Sequence, residues 1–114
     1  MAVNKMIHTT ANGRSYHAEV VADGVTSDPL ILPSIYPYNP GHMPAVVAVI
    51  PAGGASGRIE FSLDDPAVVE AGTAQWIAWP HGDVSAAIAD AINGPVTALR
   101  CVSVSGQVEW RVIR

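Results

Sequence analysis

The chain has 114 residues, of which 14% are charged and 49% are hydrophobic, and its formal net charge is −4. This length predicts a single β domain over residues 1–114, and the six basic residues are too scattered to form a nucleic-acid surface. The longest apolar run, residues 45–50, is too short to cross a bilayer, so we expect neither a nucleic-acid nor a membrane partner.

The low charge content is the strongest signal in the composition. An ordinary globular domain carries about 25% charged residues, and this chain contains one lysine, Lys5. Either small polar residues and backbone cover the outer surface, or much of that surface is buried against other subunits. We favour burial in an assembly.

The first predicted element is a strand at residues 16–22, YHAEVVA. A turn at residues 11–13 precedes it, which predicts a hairpin with residues 2–10.

The next segment, residues 28–44, is rich in proline and tyrosine. Proline excludes helix and permits only short edge strands, so we predict an extended arm or a long loop. Because prolines lower the entropy cost of ordering a segment, this one is a candidate interface, although an ordinary surface loop fits the same composition. The candidate interface residues in it are Pro29, Leu30, Ile31, Pro33, Tyr36, Tyr38 and Pro40.

Two strands follow in the middle of the chain. Residues 45–50 are continuously apolar and β-branched, which predicts a strand buried on both faces. Residues 58–63 alternate strictly, with Ile59 and Phe61 on one face and Glu60 on the other. Residues 64–66 end this strand, and residues 67–71 are predicted to form one short helical turn.

Residues 73–79 predict another strand, with Trp76 on one face and Trp79 on the other. At least one of these side chains is therefore expected at an interface or rim, and both are interface candidates. After it, Asp83 is predicted to cap a short helix over residues 84–92, whose alanines favour helix.

Residues 94–114 read as two alternating strands joined at Ser105 and Gly106. A two-residue hairpin loop pairs the apolar faces of these strands, and a type I turn with Gly106 as a left-handed bulge residue fits equally well. The predicted cross-strand pairs are Ser103 with Val108, Cys101 with Trp110, and Leu99 with Val112. On the opposite face, Arg100 would lie diagonal to Glu109.

Seven or eight short strands with a turn every 8 to 12 residues predict an all-β fold. We expect an antiparallel β-sandwich or small barrel, immunoglobulin-like or jelly-roll-like, with one short helix and the proline-rich arm.

A search for reactive residues finds no catalytic, metal or cofactor site. The four histidines lack ligands at the short spacing of zinc sites, and the glycine-rich residues 52–57 lack a phosphate-binding pattern. Cys101 is expected to be a small buried hydrophobe. Trp76, Trp79, Tyr36 and Tyr38 fit core or interface packing, with a sugar-stacking platform as the alternative.

Two stretches carry a family resemblance: AGTAQWIAWPHGDV at residues 71–84 and GPVTALRCVSVSGQVEWRV at residues 94–112. In pattern, they resemble small β-rich virion structural proteins of tailed bacteriophages. That resemblance implies a capsid decoration or cement protein that stabilises the major capsid lattice by burying apolar surface.

The same resemblance implies a homo-oligomer, with a trimer as one arrangement, that binds the major capsid protein. It implies synthesis in the host cytoplasm, a location on the capsid surface of the virion, no cofactor and no enzymatic activity. The alternatives are a head–tail connector, a tail accessory protein, or a host-glycan-binding module on the virion surface.

Overall fold

The computed structural model describes residues 2–9, 11, 13–32 and 45–114, which form nine strands and one helix. In chain order these elements are β1 (Ile7–His8), β2 (Ser15–Val21), β3 (Leu30–Ile31), β4 (Ala45–Pro51), β5 (Ser56–Ser62), α1 (Pro66–Ala71), β6 (Ile77–Ala78), β7 (Ile88–Ile92), β8 (Ala98–Ser105) and β9 (Val108–Ile113).

The strands form two antiparallel sheets. One sheet has five strands in the order β1, β2, β9, β4, β7, and the other has four in the order β3, β8, β5, β6. In the larger sheet, β9 is the central strand, and Trp110 lies between Glu19 of β2 and Val49 of β4. The expected hairpin of β1 and β2 is confirmed, with Ile7 opposite Tyr16.

The core lies between the inner faces of the two sheets. Trp110, Val47 and Val112 come from the five-stranded sheet, and Ile59 and Leu99 come from the four-stranded sheet; all are 0 to 1% exposed. Alternating side chains place one apolar set of each strand in this layer. The molecule is therefore an all-β sandwich, as expected.

A polar cluster closes one end of the core. The Glu19 carboxylate accepts hydrogen bonds from Trp110 Nε1 at 3.0 Å and from Asn4 Nδ2 at 3.1 Å, and His17 Nε2 lies 3.2 Å from the same oxygen. Because the indole N–H would be costly to bury without an acceptor, Glu19 is what allows Trp110 to be fully enclosed.

The short helix α1 confirms the turn expected at residues 67–71. The Asp65 carboxylate accepts from the backbone N–H of Ala67 at 2.8 Å, and Pro66 occupies the first helical position. Gly72 ends the helix in the left-handed conformation, with φ of 81°. No helix in the described ranges is both long and apolar enough to span a membrane.

The helix expected at residues 84–92 is wrong. Residues 88–92 form β7, an edge strand that pairs with β4 so that Ala48 lies opposite Ala89. Pairing with an existing strand outweighs the helix preference of the alanines. Asp83 does not cap a helix, and instead lies 3.3 Å from Arg58 Nη1.

The hairpin expected from residues 94–114 is also wrong. β8 and β9 lie in different sheets, and Gly106, with φ of 73°, is in the connection that crosses between them. The buried faces were predicted correctly, because Leu99, Cys101, Val108 and Trp110 are all in the core. They face one another across the sandwich rather than lying side by side. Arg100 accordingly pairs with Glu60, not with Glu109.

Two further expectations need correction. The strand at residues 45–50 is confirmed as β4, but only one face is buried: Val47 is 0% exposed and Val46 is 37% exposed. The strand expected at residues 73–79 is limited to β6, residues 77–78. Before it, Thr73 N donates to the Val68 carbonyl and Gln75 N donates to Asp64 Oδ2, so this part of the chain bonds to the helix and its N-terminal loop. After it, the chain turns at Trp79, whose carbonyl accepts from Gly82 N.

Candidate functional site

The two outer faces of the sandwich differ in chemistry. On the four-stranded sheet, Glu60 of β5 lies between two arginines, with Oε2 2.9 Å from Arg58 Nε and Oε1 2.6 Å from Arg100 Nη2. The Trp76 ring covers Arg100, whose Cζ is 4.3 Å from the ring centroid. Asp83 adds a second carboxylate beside Arg58. These four charges neutralise one another, and they share the face with Val104, an exposed valine of β8.

Glu60 is the buried member of that cluster, at 8% exposure. Burial by itself raises the pKa of its carboxyl group, but hydrogen bonds from Arg100 and Arg58 together outweigh burial and hold the pKa below its ordinary value. Glu60 is therefore ionised at neutral pH, and its charge is satisfied within the chain.

The outer face of the five-stranded sheet is mostly apolar. We call it the apolar face. The residues that its strands place there are Ile7, Tyr16, Ala18, Val20, Val46, Ala48, Ile50, Ala89, Ala91 and Ile113. Ile7 is 71% exposed and Val20 is 53% exposed. A continuous apolar surface across five strands is a feature of interaction sites.

The central strand adds one acid and one base to the apolar face. Glu109 and Arg111 lie two residues apart on β9 and form an ion pair through Arg111 Nε. Among the residues that the described strands direct to this face, they are the only charged ones. The apolar face is thus neutral overall, with a positive and a negative charge at its centre.

The apolar face is not flat. A depression of about 350 Å³ lies between the row of Ala18, Ala48 and Arg111 and the row of Tyr16, Val46 and Ile113. The alanines leave room on one side of it, because the neighbouring positions on the same strands carry larger residues. The depression is the concave part of an otherwise raised apolar surface.

The structure places the expected interface residues in different environments. Leu30, at 0% exposure, and Trp79, at 6%, belong to the core of this chain, and Pro29 is also buried. Ile31 and Trp76 are half-buried. The remaining four, Pro33, Tyr36, Tyr38 and Pro40, lie outside the described residues.

Leu30 and Trp79 therefore do not offer exposed surface, because the core encloses them. Trp76 is covered on one side by Arg100, so Trp76 and Trp79 do not form the paired aromatic platform that sugar stacking would use.

The sequence pattern did not predict most of the apolar face, although residues 45–50 carried an indication of it. Residues 45–50 are apolar at every position, which indicated two covered faces. The structure covers one face with the core and leaves Val46 and Ala48 on the other. A strand that is apolar on both sides but packed on one marks an interaction surface.

Histidine and cysteine chemistry is limited in the described residues. His81 Nε2 lies 2.8 Å from Asp90 Oδ2, and its ring packs edge-on against Trp79; the hydrogen bond from His81 lowers the pKa of Asp90. Cys101 is buried as expected, and burial raises the pKa of its thiol to about 12. Within the described ranges, no three His, Cys, Asp or Glu side chains lie close enough together to hold a metal ion.

Comparison with known proteins gives no match: no protein-family model, no curated protein and no solved structure is significantly similar to the chain.

Proposed function

We propose that this chain is a structural protein that works by burying its apolar face in a larger assembly. The observation that carries the proposal is the contrast between the two outer faces. The four-stranded sheet carries the ion pairs of Arg58, Glu60 and Arg100 on its outer face, beside the exposed Val104. The five-stranded sheet leaves apolar side chains such as Val20 and Ile7 exposed.

The energetic reason is the hydrophobic effect. Removing apolar surface from water stabilises an assembly by about 25 cal/mol per Å², so even a modest sheet face contributes several kcal/mol before the costs of association. In a symmetric lattice the same contact is repeated many times, so a weak individual contact stabilises the whole.

We further propose that the assembly is the capsid of a tailed bacteriophage, with this chain as a decoration or cement protein on its surface. The support is the resemblance carried by residues 71–84 and 94–112. The partners are then other copies of this chain and the major capsid protein. The role needs neither an active site nor a cofactor.

A shell-stabilisation experiment tests this function. Shells assembled from the cognate major capsid protein are heated with and without the purified chain, and shell disruption is followed by calorimetry. We expect the chain to co-sediment with shells and to raise the disruption temperature. Val20→Asp places a charge on the apolar face and is expected to remove both effects, because the charge would have to be buried.

Val104→Asp is the matched control. Val104 is also an exposed strand valine, 46% exposed against 53% for Val20, but it lies on the outer face of the four-stranded sheet. It should behave as the wild type. Failure of the wild-type chain to bind shells, or equal losses in the two variants, would contradict the proposal.

A head–tail connector or tail accessory protein would bury the same face against a different partner. Locating the chain in a reconstruction of the whole virion separates these roles from decoration. The glycan-binding alternative rests on Trp76 and on Tyr36 and Tyr38, which lie outside the described residues. Glycan binding that is lost in Trp76→Ala or Tyr38→Ala but kept in Val20→Asp would favour it.

A further inference from the structure

We infer that the apolar face binds a second copy of this chain across a two-fold axis that lies in the interface, perpendicular to β9 and level with Trp110. The inference deepens the proposed function and rests on it, because it names the partner of the same face. It depends on three features of that face: its charges, its side-chain sizes and its area.

The charges are arranged for self-recognition. Glu109 and Arg111 lie on either side of Trp110 along the central strand. When two identical copies bury the same sheet face against each other, a two-fold axis within the interface relates them. If this axis is perpendicular to β9, it places Arg111 of each copy over Glu109 of the other. The charged pair then becomes a set of four alternating charges, with two intermolecular ion pairs at the centre.

The apolar side chains follow the same arrangement. The row level with Glu109 carries Val20 on β2 and Ile50 on β4, and the row level with Arg111 carries Ala18 and Ala48 on those strands. The two-fold axis exchanges these rows between copies. Val20 then lies over Ala18 and Ile50 lies over Ala48, so that large residues meet small ones on both flanking strands.

The depression in the apolar face begins at the alanine row and extends toward Tyr16, Val46 and Ile113. The axis places its alanine side, with Ala18 and Ala48, beneath the larger row of the other copy. The raised side chains of Val20 and Ile50 therefore have a concave surface to enter. Shape and charge select the same orientation independently.

The competing orientation is disfavoured. A two-fold axis along β9 instead of across it would place Glu109 over Glu109 and Arg111 over Arg111. Like charges brought together in an apolar interface repel strongly, so the axis perpendicular to β9 is the one that the charges permit.

The area allows a weak, reversible dimer. Because the axis is level with Trp110, the edge strands β1 and β7 lie on one side of it and face no strand of the other copy, so the overlap consists of β2, β9 and β4. With strands about 4.8 Å apart and residues rising about 3.4 Å each, this overlap measures roughly 15 by 20 Å, and two copies bury on the order of 600 to 700 Å². This is below the range of stable specific interfaces, so we expect a dimer that forms at high protein concentration. The symmetry closes a dimer rather than the trimer implied by the family resemblance.

Sedimentation velocity of the isolated protein over a range of concentrations tests the inference. The wild type is expected to show a monomer–dimer equilibrium. Glu109→Arg and Arg111→Glu each place like charges at both central contacts, so each is expected to raise the dissociation constant at least about tenfold. An equimolar mixture of the two variants restores opposite charges at both contacts, and the mixed dimer should form with near wild-type affinity.

A milder variant tests the orientation. Glu109→Gln removes an attractive contact if Glu109 faces Arg111, and it relieves a repulsion if Glu109 faces Glu109. We expect it to weaken the dimer, and a strengthened dimer would overturn the inferred axis. Circular dichroism shows whether each variant is folded. If a charge reversal unfolds the chain, the dissociation constants of Glu109→Gln, Arg111→Gln and the double variant are measured instead. Together they give the coupling energy between the two positions in the dimer.

The outcomes separate the inference from the proposed function. A wild-type chain that stays monomeric at high concentration, or a mixture that does not dimerise, overturns the second copy as partner. If Val20→Asp still abolishes shell binding in that case, the apolar face binds the shell protein and the proposed function stands. If shells are not bound but the dimer forms, the capsid role fails and self-assembly remains.

Discussion

Glu60 shows how a buried charge is retained in this small sandwich. Its carboxylate contacts Arg58 and Arg100 within the same cluster, whereas Asp83 contacts only Arg58, at 3.3 Å and with a side chain that is half exposed. The Glu60 carboxylate also stabilises the two guanidinium groups beside each other, because without its charge two cations would repel.

We therefore expect Glu60→Gln to lower the free energy of unfolding by about 1 to 3 kcal/mol, as measured by urea denaturation at neutral pH. Asp83→Asn removes a carboxylate from the same arginine at an exposed position, and it should cost less than about 0.5 kcal/mol. Equal effects of the two substitutions would show that burial of Glu60 is unimportant.

The same residue contributes to acid sensitivity. The pKa of Glu60 is lower in the folded chain than its ordinary value of 4.5, so the unfolded chain takes up this proton at a higher pH. The stabilisation that ionised Glu60 gives the folded chain is fully present above pH 4.5, and it is lost as the pH falls through the lower pKa of the folded state. Glu60→Gln should accordingly make the fall in stability below pH 4.5 shallower than in the wild type.

At the scale of elements, alternation in the sequence predicted which side of each strand is buried but not which strand is its neighbour. Leu99 and Cys101 on β8 and Trp110 on β9 are all in the core, as the pattern requires. An alternating pattern shows only that one face of the strand is buried. Two consecutive strands show the same pattern whether they pair in one sheet or lie in two sheets that face each other. The apolar face was not predicted for a related reason: an exposed apolar residue cannot be told from a buried one in the sequence.

The connection between β8 and β9 offers a test of how Gly106 packs against Ala55. Gly106 has φ of 73°, and a Cβ built on it would lie 2.7 Å from the Cβ of Ala55, the residue before strand β5. Gly106→Ala should therefore destabilise the fold by about 1 to 3 kcal/mol through backbone strain and this close contact.

Gly53→Ala is the control, because nothing lies within 4 Å of the added methyl group at that position. We expect its free energy of unfolding to change by less than about 0.5 kcal/mol. Both variants can be compared by urea denaturation, and a neutral Gly106→Ala would argue against this packing of Gly106 on Ala55.

At the scale of the whole molecule, the sparse charge of the sequence is divided unequally between two faces. Four charged residues, Arg58, Glu60, Asp83 and Arg100, form ion pairs on the outside of the four-stranded sheet, whereas Glu109 and Arg111 are the charges that the described strands direct to the outside of the other. Composition favoured burial of much of the surface in an assembly. It could not say which face, because strand order decides which residues share a surface.

Self-association through that face makes thermal stability depend on concentration. A partner that binds only the folded chain raises the melting temperature as its concentration rises. We expect the wild-type melting temperature to increase over a hundredfold range of protein concentration, and that of Val20→Asp to stay constant. A wild-type value that does not change with concentration would contradict association of the folded chain.

The central position of β9 also affects how the chain is made. Its neighbours β2 and β4 are synthesised many residues earlier, and they leave the ribosome before the strand that joins them exists. Until then, both present unpaired backbone edges, which are prone to pair with other nascent chains. Slower translation or a holding chaperone should therefore change the yield of folded protein more than its final stability.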